Sequence, residues 1–100
     1  MAGNRIQLWG KVLVEPELRT TPAGTSVLRI MVQAGDGPPN FALAASMTGE
    51  DARRVAAGLK VGLEVMVKGS LRTVRRRARS GMFEIGYEVT ADSIEVRATE

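Results

Sequence analysis

Five arginines fall within eight residues of this chain: Arg72, Arg75, Arg76, Arg77 and Arg79. A guanidinium stays charged at any working pH, pairs bidentately with phosphate and stacks on a flat base. Packed this densely, the five repel one another unless an anion meets them. The bland alternative is a charged turn that keeps the chain in solution. Residues suited to other chemistry are missing. The chain has no histidine and no cysteine. That excludes disulfides, thiolate metal sites and cysteine nucleophiles, and removes the commonest general base. No serine or tyrosine sits in the pattern of an activated nucleophile, and there is no glycine-rich phosphate loop with its lysine. The expectation is a binding protein rather than an enzyme, with no metal, cofactor or small-molecule substrate.

The charge around the cluster is lopsided. Residues 60–79 carry seven basic side chains, including Lys60 and Lys68, against Glu64 alone. Residues 80–100 carry Arg97 against Glu84, Glu88, Asp92, Glu95 and Glu100. The chain as a whole is +3, with a pI near 10.0. A basic segment of this kind points to nucleic acid or an acidic membrane. The acidic stretch beside it could repel DNA from one face or pair with the arginines across the strand. At 100 residues, 44% of them hydrophobic, the chain has the size and composition of one globular domain, residues 1–100. No apolar run reaches the roughly 18–20 residues of a membrane span, and Met1 to Gln7 hold no signal-peptide core.

The elements that must hold the arginines read mostly as strands. From Arg5 to Val14, Ile6, Leu8, Gly10, Val12 and Val14 alternate with Arg5, Gln7, Trp9, Lys11 and Leu13. Gly10 suggests a bend at a barrel corner. Glu15-Pro16 breaks this strand. Thr21 to Gly24 predicts a tight turn, and Ser26 to Ala34 a second strand. Gly35 to Asn40 reads as loop and Phe41 to Met47 as a third strand. Thr48 with Asp51 resembles a capping box opening a short helix over Glu50 to Ala57, stopped at Gly58 and Gly62. A fourth strand runs from Val61 past Gly69 toward Val74. The basic cluster follows and ends at a Ser80-Gly81 turn. Met82 to Val89 is a fifth strand, which Asp92 to Ala98 extends or supplements. Five strands with one short helix between the third and fourth predict an all-β OB-fold, a small barrel that binds oligonucleotides or oligosaccharides. An SH3-like barrel would not usually place a helix there.

Three stretches resemble the bacterial single-stranded-DNA-binding protein family. They are Asn4 to Val12, Pro16 to Thr25 and Lys68 to Thr73, which match the family's opening strand, its "PELR-x-TPSGT" turn and its "x-G-x-LRT" strand exit. The likeness is closest to a tail-less member, primosomal replication protein N, because the family's Gly- and Pro-rich acidic tail is missing before Glu100. The resemblance implies a cytoplasmic protein that binds single-stranded DNA without strong sequence preference. It also implies a homodimer formed through the first strand and a role in replication restart beside a restart helicase. A tail-less binder of plasmid or phage type, forming tetramers, is the nearest alternative. A protein-interaction scaffold is another, and a cold-shock-like RNA binder a third. The family's stacking aromatics are thin: Phe41 matches one position, while Met47 and Arg76 stand at two others. That suggests binding led by phosphate contacts.

The arginines Arg72, Arg75, Arg76, Arg77 and Arg79 are the leading nucleic-acid contacts, on the hairpin between strands four and five. Four phosphate contacts would give a log–log salt slope of about −3. Lys11, Arg19 and Lys68 rank second. Phe41 would stack on a base or pack in the core. Trp9 shares a face with Arg5 and Lys11, away from the core. It could stack on a base, or lie with Arg5 in a dimer interface, where tryptophan is enriched. Phe83 and Tyr87 alternate with Glu84 and Glu88, which predicts core packing for both aromatics.

Overall fold

The computed structural model describes residues 3–35 and 41–97. Asp36–Asn40 of the expected loop and Ala98–Glu100 lie outside the described residues. Six strands and one helix follow in chain order: β1 (Ile6–Val12), β2 (Glu17–Thr20), β3 (Ser26–Ala34), β4 (Phe41–Thr48), α1 (Glu50–Ala56), β5 (Glu64–Arg77) and β6 (Phe83–Val96). The sheet runs β1-β5-β6-β4-β3-β2. A further pairing of β1 with β3, over Gly10 to Val12, closes five of the strands into the expected OB-type barrel. The helix lies between β4 and β5, corresponding to the expected place between the third and fourth barrel strands.

Alternation places the core as expected. Leu8 and Val12 of β1, Leu28, Ile30 and Val32 of β3, Val65 and Val67 of β5, and Val89 of β6 all point inward and are buried. Gly10 is the hinge of closure, paired with Ala34 of β3 and Val65 of β5 at once. A Cβ at this position would collide with the Gln33 carbonyl, so only glycine lets the strands meet.

β2 is an element that sequence patterning did not predict. Its four residues, Glu17 to Thr20, are all exposed, so there is no apolar alternation to reveal it. It forms through the turn that was legible. Gly24 donates to the Thr21 carbonyl at 2.8 Å with a φ of 88°, and β2 folds back onto β3. The expected capping box does not form. Thr48 is the last residue of β4, paired with Val27, and Gly49 is the N-cap, with no side-chain cap bond. The chain leaves β4 at a φ of 92°, open to glycine and strained for threonine.

β5 and β6 are each 14 residues long, and paired from Val65↔Val96 to Arg77↔Phe83. β6 runs on through the segment that could have been a separate strand. One bulge interrupts the pair: Lys68 faces Ser93 but Gly69 faces Ala91, leaving Asp92 as the extra residue. A Cβ on Gly69 would collide with the Thr90 carbonyl, so the bulge requires glycine. Asp92 turns outward and pairs with Arg5 at 2.6 Å.

Candidate nucleic-acid interface

The far half of the β5–β6 pair continues past the barrel as a two-stranded ribbon. It closes at a turn in which the Ala78 N–H donates to the Met82 carbonyl at 2.8 Å. Arg72, Arg75, Arg76 and Arg77 stand on the strand itself, and Arg79 in the turn. All five are exposed.

Strand pleating divides them between two faces. Residues opposite one another across a ladder point to the same side. Leu71 and Val89 are opposite partners, with Val89 wholly buried and Leu71 packed on the core. Thr73 with Tyr87, Arg75 with Ile85, and Arg77 with Phe83 carry that same face outward past the rim. There the apolar groups lose their cover: Phe83 and Tyr87 are each 55% exposed, and Ile85 is 70% exposed. The expectation that Phe83 and Tyr87 pack in the core is therefore corrected. Their alternation is that of core residues, but the barrel ends below them. Arg75 and Arg77 sit over the Phe83 ring, with Cζ at 4.3 and 5.0 Å from its centroid. The ring's electron-rich face holds both cations in place.

The opposite face has different chemistry. Arg72 is opposite Glu88 and Arg76 opposite Glu84, with Val74 opposite Gly86 between them. Arg72 approaches the Glu88 carboxylate at 3.7 Å. The Arg76 guanidinium lies over Gly86, where even a Cβ would crowd it at 3.4 Å. Of the two roles weighed for the acidic segment, cross-strand pairing is the one the ladder provides on this face.

The other candidates scatter. Phe41 opens β4 and is 55% exposed, so it is not a core residue. Its parity is that of Leu43 and Ala45, and Ala45 is in register with Val89, so Phe41 lies toward the apolar side of the ribbon. Met47 is 5% exposed and cannot stack on a base. Lys68 shares a face of β5 with Arg72, below the ribbon. Lys11 is on β1, beyond β5, and Arg19 on β2 is separated from the ribbon by β3 and β4. Both are exposed but neither joins the arginine cluster. Trp9 avoids the core as expected, at 45% exposed, and stacks beneath Arg97, 4.7 Å from its ring centroid. Sequence spacing hides that contact, since 88 positions separate the two residues. Arg5 is occupied by its pair with Asp92.

Alternatives to a nucleic-acid surface find less. No group of three or more His, Cys, Asp or Glu that could hold a metal ion occurs among the described residues. No described helix is long and apolar enough to cross a membrane. A cleft of about 370 Å³ between β2 and α1 is lined by Pro16, Leu18, Ala56, Ala57 and Leu59, with Glu15 and Arg53 at its sides. It brings together no set of polar groups that would orient a small ligand.

Comparison with known proteins agrees with this geometry. The chain is 31% identical to "Single-stranded DNA-binding protein 2" of Streptomyces coelicolor, over 94% of its own length and 53% of that protein. It is 30% identical to "Single-stranded DNA-binding protein" of Corynebacterium glutamicum, over 89% of its own length and 44% of that protein. The chain thus spans about half the length of the curated relatives it matches. A family profile, the single-strand binding protein family, matches residues 3–97, which take in the barrel and the whole arginine ribbon. With a closed five-stranded barrel, a helix at the expected place and a profile match along nearly its full length, this chain belongs to the single-strand binding protein family.

Proposed function

We propose that this chain, acting as one OB-fold domain over residues 1–100, binds single-stranded DNA without strong sequence preference. The observation that carries this is the ribbon face on which Arg75 and Arg77 stand beside exposed Phe83, Ile85 and Tyr87. Guanidinium groups hold phosphates, and aromatic faces stack any base, so the pairing is tolerant of sequence. Bases in a duplex are already stacked and offer no free face, which favours the single strand. The role is one of binding, with no reaction catalysed.

The finer reading rests on the resemblance described above. It is a role in replication restart, as a cytoplasmic relative of primosomal replication protein N that meets single-stranded DNA and a restart helicase. It takes the protein as a homodimer. In support, β3 pairs with β1 only over Gly10 to Val12, so the edge of Ile6 to Trp9 turned away from β5 has no strand beside it among the described residues. Trp9 and Arg5 lie at this edge.

The test is fluorescence anisotropy of a labelled oligo-dT about 30 nucleotides long, titrated at several salt concentrations beside a duplex of equal length. The expected result is tight, salt-sensitive binding of the single strand, much weaker binding of the duplex, and loss of binding on changing Arg75, Arg76 and Arg77 to Ala. Equal affinity for both forms, or no binding at low salt, overturns the reading.

A further inference from the structure

The wall of the barrel below the ribbon carries a second cationic group. Arg29 of β3 and Arg72 of β5 both approach Oε1 of Glu88 on β6, Nε of Arg29 at 3.8 Å and Nη2 of Arg72 at 3.7 Å. β4 lies between β3 and β6, so Arg29 must cross it to reach Glu88. Ala44 and Ser46 leave room for that crossing. Ala44, in register with Glu88, is only 3% exposed. Glu88 itself is 8% exposed, and among the described residues it is the only buried charged one. Both separations are too long for hydrogen bonds, so each guanidinium keeps donors free for another acceptor. The wall could therefore hold a phosphate, but only within reach of a fixed carboxylate.

We propose that Glu88 decides which arginines of this chain hold phosphate. As a built-in counter-charge it withholds Arg29 and Arg72, and it leaves the strand to the apolar face bearing Arg75 and Arg77. Distance makes the effect selective. Arg75 is three residues beyond Arg72 on β5, about 10 Å along the strand, which is roughly a Debye length at 0.1 M salt. A phosphate at Arg72 meets the full repulsion of Glu88, whereas one at Arg75 or Arg77 is screened from it. Glu88 acts through the two arginines and is a positioning residue. The assignment rests on the single-strand reading above.

The experiment compares wild type, Glu88→Gln and Asp51→Asn on the same labelled oligo-dT across a range of NaCl. Glu88→Gln removes the charge and keeps the shape. It is expected to bind about fivefold tighter at low salt, the effect of one unit charge at about 4 Å in water. Its salt slope should steepen by about 0.7 for each arginine released to a phosphate. Asp51→Asn alters net charge equally but lies on α1, paired with Arg54, and should move neither quantity. The gain should vanish when Arg29 and Arg72 are also changed to Gln. A folded Glu88→Gln that binds no tighter than wild type overturns the assignment. Should that variant not fold, single substitutions in the wild-type background decide. Arg75→Gln should flatten the salt slope by about 0.7 and Arg72→Gln should leave it unchanged, and equal effects overturn the assignment. A wild type that fails to bind oligo-dT overturns the single-strand reading and this assignment with it, whereas a binding wild type with an unmoved Glu88→Gln overturns the assignment alone.

Discussion

Phe83 is the residue on which the ribbon face turns. Its ring holds Arg75 and Arg77 at 4.3 and 5.0 Å, and it remains half open to solvent. Phe83→Ala should therefore weaken oligo-dT binding by about 1–3 kcal/mol, the usual range for losing one stacking aromatic. Its melting temperature should stay near that of wild type, since little core is lost. Paired anisotropy and thermal melts check this, and a large drop in melting temperature would contradict the placement. Leu28→Ala should do the reverse. Leu28 is wholly buried, so truncation should cost about 2–5 kcal/mol of stability, read by denaturant titration, with binding intact in the folded fraction. Both side chains are apolar residues in alternating strands, and sequence alone reads both as core. What distinguishes them is where the barrel ends along β6. That depends on the length of the neighbouring strands, and no local pattern in Met82 to Val89 records it.

At the scale of elements, glycines mark the places where strands approach more closely than a side chain permits. Gly10 seals the barrel between β3 and β5, and Gly69 receives the Thr90 carbonyl at the bulge. In both cases the colliding atom is backbone, which cannot swing away. Gly10→Ala and Gly69→Ala should each destabilise the fold by about 3 kcal/mol or more, measured by chemical denaturation. A neutral result at either site would contradict the strand pairing. The bend at Gly10 was legible in the sequence because a glycine broke an otherwise regular alternation. The long strands were legible for the same reason, since each has one face in the core. β2 was not, because a strand exposed on every residue exists only by leaning on β3. The helix was found, but its cap was misread, since Thr48 was already committed to its bond ladder with Val27.

Across the whole molecule, charge is sorted by face rather than spread. Of the five clustered arginines, Arg72 and Arg76 project to the acidic face, Arg72 within reach of Glu88 and Arg76 in register with Glu84, which leaves Arg75 and Arg77 on the aromatic face and Arg79 in the turn. Three phosphate contacts give a salt slope of about −2, shallower than the −3 that counting arginines suggests. A slope of −4 or steeper would mean that the barrel wall also takes part. Light scattering gives the assembly directly: a homodimer should weigh twice the 10.7 kDa chain, and a tetramer four times. The division of the ribbon into two chemistries depends in turn on the extra residue Asp92. On its C-terminal side, even-numbered Ile94 points into the barrel, and on its N-terminal side, odd-numbered Ala91 and Val89 do. Asp92 thus acts as a frameshift in β6. Were the bulge lost and Asp92 paired with Gly69 in a regular ladder, Thr90, Glu88 and Glu84 would rotate to the side of Leu71, and Phe83, Ile85 and Tyr87 would rotate to the back. One residue far from the arginines therefore sets the phase in which the strand is read, and with it which of two alphabets, aromatic or acidic, the ribbon shows beside Arg75 and Arg77.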